Sequence, residues 1–259
     1  MIVPMGRATI ARVALTGAAL AVALVGCAGQ ATTASPGSLP TGEPQAAASA
    51  APATTGLRVA IVGDSLTAGG GRLLSDGLDA DTWMTYAQGD GVDYVGGWAK
   101  GGSTVQEQAA AVRPIADVDV LVLMSGTNDV RRQISFADSR SSYESIIDTI
   151  DARHVVIAAI PPYDRSPVAA LRYEADLERW VATTDHTFVD PWGFARDGAV
   201  FARGTTDDGV HPTTSGYRLL GTGLREAILD VGRRASDAAP TDAATSDPVA
   251  GGEGVVTGS

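Results

Sequence analysis

The stretch LRVAIVGDSLTAG (residues 57–69) joins an apolar run to an abrupt polar end. Its first seven residues are mostly aliphatic and have the length and composition of a strand that is covered on both faces. The run ends at Gly63, where a glycine allows a tight turn that presents a polar side chain, Ser65, at the strand end. Glycines 69–71 disfavour a regular helix by about 1 kcal/mol each, so we expect Ser65 on a loop or a single turn.

Similar apolar runs recur along the chain and alternate with segments of helix length. They begin at residues 92, 118, 154 and 187. The candidate helices span residues 73–87, 104–111, 137–150, 167–183 and 213–233. This alternation predicts an α/β fold with a parallel sheet covered on both faces. In such a sheet, a ligand cleft lies beyond the carboxyl ends of the strands.

Both ends of the chain differ in composition from residues 57–234. Residues 1–26 carry a basic region and an apolar run that is short for a bilayer span, which predicts a secretory signal peptide. Residues 27–56 are mainly Ala, Thr, Ser, Pro and Gly, and we predict a disordered tether. Residues 235–259 are similar but acidic, and we predict a disordered tail. The 178 residues between them have the size of one domain.

The only cysteine, Cys27, stands where the apolar run of the signal peptide ends. Leu24, Val25, Gly26 and Cys27 resemble the lipobox of bacterial lipoproteins, in which the cysteine becomes the lipidated first residue. The resemblance implies a protein anchored by lipid to the cell membrane, outside the cytoplasm. Ordinary cleavage, which would give a secreted protein, and an uncut helical anchor are the alternatives. With Cys27 lipidated, the mature domain forms no disulfide.

The charge of residues 57–234 argues against one class of function. This segment has 17 Lys and Arg against 25 Asp and Glu, a formal charge of −8. Such a surface repels phosphate backbones, so we expect no nucleic-acid binding. The sequence has no metal-ligand motif such as HExxH or CxxC, and we expect neither a metal nor a cofactor. We expect a monomer.

Three residues in two distant parts of the chain have the chemistry of nucleophilic catalysis. A catalytic serine needs a base, a group that orients the base, and donors for the oxyanion. Ser65 is the candidate nucleophile and His211 the candidate base. With Gly209 between them, Asp208 can turn back so that its carboxylate meets Nδ1 of His211 and leaves Nε2 facing Ser65. Asp207 is an alternative orienting group, although the spacing favours Asp208.

Asn128 is the only asparagine of the chain and lies in the sequence GTND after the third predicted strand. Its carboxamide can donate a hydrogen bond to a developing oxyanion, whereas an ionised aspartate only accepts. The Arg131-Arg132 pair that follows borders the expected cleft, where it is either solvated or meets an anionic substrate. Each motif alone is weak, because strand-end turns commonly contain Gly, Asp and Ser. Their order and their positions at strand ends favour a catalytic site.

Together these motifs resemble those of the GDSL or SGNH hydrolases, over essentially all of residues 57–234. The sequence GDSL at residues 63–66 is similar to the first block of that family, and GTND at residues 126–129 is similar to the third. The D-x-x-H pattern at residues 208–211 is similar to the last block. The resemblance implies a three-layer α/β/α sandwich with a flavodoxin-like parallel sheet.

The resemblance also implies the composition of an oxyanion hole. The donors would be the backbone N–H of Ser65, the backbone N–H of Gly102 in AKGGST, and the side chain of Asn128. The second block of the family usually has a Gly-x-x-Gly pattern, and Ala99 stands at its first position here. Gly101 is therefore an alternative to Gly102.

The resemblance implies a serine esterase or lipase that forms an acyl-enzyme on acyl esters of small molecules or polysaccharides. The sequence shows no long apolar lid segment, which favours short acyl or carbohydrate esters. Transfer of the acyl group to a sugar hydroxyl would use the same site. The alternative from another class is a non-catalytic surface module that binds glycans. Aromatic side chains near the expected cleft would then stack on sugar rings: Trp98, Tyr163, Trp192 and Phe194.

Overall fold

The computed structural model of the protein describes residues 56–238. The predicted signal peptide, Cys27 and the predicted tether up to residue 55 lie outside the described residues, as do residues 239–259 of the predicted tail.

Five parallel strands form the central sheet, in the order β2-β1-β3-β4-β5. The strands are β1 (Leu57–Gly63), β2 (Val92–Ala99), β3 (Val120–Met124), β4 (His154–Ala158) and β5 (Thr187–Val189). Each lies in one of the five predicted apolar runs. This strand order is the flavodoxin-like one, so the predicted fold class is confirmed.

Seven helices and a small hairpin complete the described fold. The helices are α1 (Ser65–Ala68), α2 (Met84–Ala87), α3 (Val105–Ala111), α4 (Thr127–Arg131), α5 (Phe136–Ile150), α6 (Pro167–Val181) and α7 (Thr214–Ala238), with a 3₁₀ turn at Leu74–Asp76. The antiparallel hairpin consists of β6 (Arg196–Asp197) and β7 (Val200–Phe201). Within residues 56–238, no helix combines the length and the apolarity needed to cross a bilayer.

The sheet is buried on both faces because helices pack against each of them, and successive strand residues point to opposite faces. In β1, Val59 and Ile61 belong to a buried cluster that includes α1, α2 and α7. Ala60 and Val62 belong to a second cluster, with α3, α5 and α6. This double coverage explains why the strands are apolar at nearly every position instead of alternating. The three layers are the predicted α/β/α sandwich.

The helix predicted over residues 73–87 is wrong over most of its length, since only the 3₁₀ turn and α2 form there. Gly77 has a φ of +108°, a conformation outside the helical region, and it ends the 3₁₀ turn. Asp79 accepts from the N–H of Asp81, a group inside the predicted helix. Local side-chain to backbone hydrogen bonds of this kind compete with helix formation.

At the other end of the domain, α7 is longer than predicted. It continues to Ala238, past the predicted end at residue 233. Residues 235–238, which the composition had assigned to the disordered tail, are therefore helical.

The carboxyl ends of β1, β2 and β3 meet at one edge of the sheet. Gly63, at the end of β1, pairs with Ala99 on one side and with Met124 on the other. The strand order reverses between β1 and β3, which is where ligand clefts form in sheets of this type. The segments that follow these three strands carry Ser65, Gly102 and Asn128 and are thus brought together.

Candidate active site

Ser65 is held on a single helical turn at the end of β1. Asp64 caps this turn by accepting a hydrogen bond from the N–H of Leu66 at 3.0 Å. Gly63 is required because a Cβ there would lie 2.8 Å from the carbonyl oxygen of Met124. The close approach of β1 to the end of β3 therefore leaves no room for a side chain at residue 63.

The side chains of Ser65, His211 and Asp208 form a continuous hydrogen-bonded chain. Ser65 Oγ lies 2.8 Å from His211 Nε2, and His211 Nδ1 lies 2.7 Å from Asp208 Oδ2. When Nδ1–H donates to the carboxylate, Nε2 is left as the acceptor for the serine hydroxyl. Ser65 and His211 are 146 positions apart in the chain, so only the fold brings them together.

One short loop supplies both the base and its orienting group. The second carboxylate oxygen of Asp208 accepts from the backbone N–H of Val210 at 2.9 Å and of His211 at 2.8 Å. Gly209 between them has a φ of +73°, a backbone conformation that favours glycine. Asp208 therefore shapes the loop with one oxygen and orients the imidazole with the other.

The environment of Asp208 keeps its carboxylate ionised. Burial raises its pKa, but hydrogen bonds from the backbone N–H and imidazole of His211 and from the N–H of Val210 outweigh burial and lower the pKa to about 2. An ionised carboxylate at this position stabilises an imidazolium. Asp207 is exposed and forms no hydrogen bond to the imidazole within the described residues, so the geometry favours Asp208 over Asp207.

The loop after β2 distinguishes between the two candidate glycines. The N–H of Gly101 donates to the carbonyl oxygen of Arg72 at 2.8 Å. Within residues 56–238, the N–H of Gly102 has no acceptor, and Gly102 lines the same cleft as Ser65. The carbonyl of Gly102 is held by Arg132 at 2.9 Å. Gly102 is therefore the better candidate for the oxyanion donor.

Asn128 is the second residue of α4, and Asp64 holds its side chain by a hydrogen bond. It is 7% exposed, and its Nδ2 donates to Asp64 Oδ2 at 3.1 Å. A carboxamide nitrogen carries two N–H bonds. With one of them on Asp64, the other is left for the cleft, which Asn128 also lines.

Two buried aspartates that the sequence analysis did not single out support this arrangement. Asp64 is 0% exposed and positions both α1 and the carboxamide of Asn128. Asp129 accepts from the N–H of Val105 at 3.1 Å and from the hydroxyl of Ser139 at 2.6 Å, which joins α4 to α3 and α5. Both lie inside the motifs GDS and GTND, but nothing in the sequence alone says which aspartates are buried.

The burial of Asp64 gives a prediction about stability. Burial raises its pKa from 3.8 to about 6, although the hydrogen bond from the N–H of Leu66 lowers the pKa. Between these values the folded state binds more protons than the unfolded state, so the contribution of Asp64 to stability falls as pH rises. We expect the free energy of unfolding of Asp64→Asn to rise by about 3 kcal/mol relative to that of wild type as the pH rises from about 4 to about 7. Urea unfolding at a series of pH values measures this difference.

A matched substitution separates this titration from other effects. Any hydrogen bond lost in Asp64→Asn changes the free energy of unfolding equally at all pH values, so only the slope of the difference against pH is diagnostic. Asp148→Asn removes an exposed aspartate on α5 and should give a difference that does not vary with pH. A flat difference for Asp64→Asn would contradict the raised pKa.

The five candidate side chains and backbone groups share one cleft. Ser65, Gly102, Asn128, Asp208 and His211 all line a cavity of about 230 Å³. A larger cavity of about 450 Å³ between α5 and α6 contains none of them. Within residues 56–238, no group of three or more His, Cys, Asp or Glu side chains is arranged to hold a metal ion.

The aromatic residues considered for stacking on sugars have different positions. Trp192 is 0% exposed, and its indole N–H donates to the carbonyl of Ala159 at 2.8 Å, so it belongs to the core. Trp98 and Phe194 are partly buried and pack against the core clusters. Tyr163 is the one of these four that lines the cleft, but its side chain is almost fully buried.

The comparison with known families gives one match, and it covers more than half of the chain. Residues 61–219 match the GDSL-like lipase/acylhydrolase family. No curated protein sequence matches the chain.

Solved structures with a similar fold include several lipolytic proteins and esterases. A member of the lipolytic protein G-D-S-L family from Veillonella parvula is 20% identical, with a TM-score of 0.53 over 66% of this chain and 97% of that chain. A carbohydrate esterase family 3 protein from Talaromyces cellulolyticus is 19% identical, with a TM-score of 0.53 over 69% of this chain and 99% of that chain. A GDSL-like lipase from Bacteroides thetaiotaomicron is 18% identical, with a TM-score of 0.50 over 67% of this chain and 88% of that chain. At these identities the similarity concerns the fold.

Proposed function

Since the chain belongs to the GDSL-like lipase/acylhydrolase family and is a serine ester hydrolase, we propose that it cleaves short acyl or carbohydrate esters through an acyl-enzyme on Ser65. The observation that carries this proposal is the hydrogen-bonded chain from Ser65 through His211 to Asp208, with distances of 2.8 and 2.7 Å. The candidate oxyanion donors lie in the same cleft. This is the set of groups that acyl transfer to a serine needs.

In the first half of the proposed reaction, His211 Nε2 takes the proton of Ser65 as Oγ bonds to the ester carbonyl carbon. The carbonyl oxygen becomes an oxyanion and accepts hydrogen bonds from the N–H of Ser65, the N–H of Gly102 and the side chain of Asn128. When the tetrahedral intermediate collapses, the bond to the alcohol oxygen breaks. The imidazolium of His211 gives its proton to that oxygen, and the alcohol leaves.

In the second half, water attacks the acyl-enzyme with His211 again acting as the base. The bond from Ser65 Oγ to the acyl carbon breaks, the serine regains its proton, and the carboxylic acid is released. The ionised carboxylate of Asp208 stabilises the imidazolium in both halves. A sugar hydroxyl in place of water would give acyl transfer at the same site.

The substrate part of the proposal rests on the size of the cleft and on location. A cavity of about 230 Å³ is smaller than the pockets that hold drug-sized ligands, which favours a short acyl group. One of the structurally similar proteins is a carbohydrate esterase, and we extend that substrate class to this chain. Lipidation of Cys27 would place the site outside the membrane, where acylated polysaccharides are accessible.

A panel of 4-nitrophenyl esters from acetate to palmitate, together with a fluorophosphonate probe, tests this function. We expect kcat/KM to be highest for the shortest acyl chains, and the probe to label Ser65 alone, as shown by mass spectrometry of the digest. The other serines of the same digest are the internal control. Activity that rises toward palmitate would refute the substrate class, and labelling at another serine would refute the site. With a sugar acceptor present, free acetate indicates hydrolysis and acetylated sugar indicates transfer.

Asn128→Ala tests the oxyanion hole. Loss of a preorganised donor typically lowers kcat by about 10²- to 10³-fold, and we expect this loss with little change in KM, because the donor acts on the transition state. Gln133→Ala is the matched control, since it removes an exposed carboxamide that does not line the cleft. Equal kcat and KM for Asn128→Ala and wild type would show that Asn128 does not donate to the oxyanion.

A further inference from the structure

The charge around the cleft is opposite to that of the domain. Residues 57–234 have a formal charge of −8, but two of the side chains that line the cleft are arginines, Arg131 and Arg165. The one carboxylate lining the cleft, Asp208, is already engaged by His211. The cleft is therefore locally cationic in an acidic protein.

The two consecutive arginines after GTND have different surroundings. Arg132 forms an ion pair with Glu107 at 2.9 Å and also holds the carbonyl of Gly102, so its charge and donors are used within the protein. Within residues 56–238, the side chain of Arg131 has no hydrogen bond or ion pair, and Arg131 lines the cleft. Its Nη2 would be 3.6 Å from a Cβ built on Gly102, which places the guanidinium beside the proposed oxyanion donor.

Arg165 lines the same cleft and lies in the turn before α6. It too has no hydrogen bond or ion pair within the described part of the chain. Its neighbour Asp164 ties this turn to the catalytic loop, since the N–H of Asp164 donates to the carbonyl of Gly209 at 3.1 Å. The backbone that carries Arg165 is therefore fixed relative to His211.

We propose that Arg131 and Arg165 bind a carboxylate carried by the ester substrate, so that the protein prefers anionic esters to neutral ones. This inference rests on the proposed function and specifies its substrate class. A guanidinium presents N–H donors in a planar fork that matches a carboxylate, and such charge-assisted hydrogen bonds are stronger than neutral ones. A carboxylate is small enough to share a cavity of about 230 Å³ with an ester group.

Matched pairs of esters test the preference and locate the charge. For a carboxylate on the alcohol part, 4-acetoxybenzoate is compared with its methyl ester. For a carboxylate on the acyl part, 4-nitrophenyl hydrogen adipate is compared with 4-nitrophenyl hexanoate. Each kcat/KM is divided by the rate of hydroxide hydrolysis, which removes the difference in intrinsic reactivity. We expect wild type to prefer the anionic member by about ten-fold or more in one of the two pairs, and less so at high ionic strength.

The substitution Arg131→Gln combined with Arg165→Gln should lower this preference to about two-fold or less. The preference is a ratio within each variant, so any general effect on activity cancels. Arg140→Gln removes the same kind of charge from the exposed face of α5, where Arg140 pairs with Glu144, and should keep the wild-type ratio.

Three results would overturn the inference: no preference in either pair for wild type, a preference that survives in the double variant, or an equal loss in Arg140→Gln. The last result would mean that loss of any surface arginine, and not specifically of the two in the cleft, lowers the preference. If neutral esters are hydrolysed and Ser65 is labelled while the preference is missing, only this inference fails. If neither neutral nor anionic esters react and Ser65 is not labelled, the proposed function itself fails.

Discussion

Ser65→Ala is expected to lower kcat on 4-nitrophenyl acetate by about 10⁴- to 10⁶-fold, because the acyl-enzyme cannot form without Oγ. His211 and Asp208 would remain in place but would have no nucleophile to activate. The oxyanion donors and substrate binding account for the residual rate in enzymes of this kind. Steady-state kinetics measures the ester hydrolysis, and a fluorophosphonate probe measures the reactivity of the serine. We expect both hydrolysis and labelling to be lost in Ser65→Ala.

The fold should survive this substitution. Ser65 is half-buried, and the hydrogen bond of its hydroxyl is to His211, so removing one oxygen atom leaves no buried group without a partner. Ser141→Ala removes an exposed hydroxyl on α5 and should keep wild-type activity and labelling. A Ser65→Ala protein that keeps more than about one hundredth of wild-type kcat would exclude Ser65 as the nucleophile.

Asp208→Asn is expected to lower kcat by about 10⁴-fold while the loop keeps its shape. The carboxamide oxygen can still accept from the N–H of Val210 and His211, as Asp208 Oδ1 does at 2.9 and 2.8 Å. The carboxamide nitrogen would then donate to Nδ1 of His211, so that the tautomer with its proton on Nε2 is favoured and the base cannot accept the proton of Ser65. The negative charge that stabilises the imidazolium is lost as well.

Asp207→Asn is the matched control, since it removes the same charge one residue away. Asp207 is exposed, and its carboxylate does not contact the imidazole within the described residues, so kcat should stay within about two-fold of wild type. Comparable losses in the two variants would indicate that the charge of the loop matters and not the hydrogen bond to Nδ1. A larger loss in Asp207→Asn would indicate that Asp207, and not Asp208, orients His211.

The strands could be predicted from the sequence because a strand covered on both faces needs apolar side chains at nearly every position. That requirement leaves a continuous signal in runs such as VLVLM of β3. The segment 73–87 was mispredicted because helix periodicity does not show that Gly77 adopts a φ of +108° or that Asp79 binds the N–H of Asp81. Helix α4 was not predicted, since five residues are too few to show a period.

The surroundings of the candidate residues could not be predicted in the same way. Asp207 and Asp208 are neighbours in the chain, as are Gly101 and Gly102, so spacing left both pairs open. The structure separates them through hydrogen bonds: Asp208 meets Nδ1 of His211, and the N–H of Gly101 is taken by Arg72. The first contact depends on the shape of one loop and the second on a residue much earlier in the chain, and periodicity and motifs describe neither.

The sequence by itself determined the sheet, its parallel character and the identity of the polar residues at the strand ends, because apolar length and local turn chemistry are properties of neighbouring residues. Only the tertiary structure decided which atoms meet. It set Ser65 beside His211 across 146 positions, buried Asp64 beneath Asn128, and left Arg131 in the cleft while Arg132 pairs with Glu107. Such distances depend on how the strands are ordered and how closely the layers pack, and no local stretch of sequence contains that information.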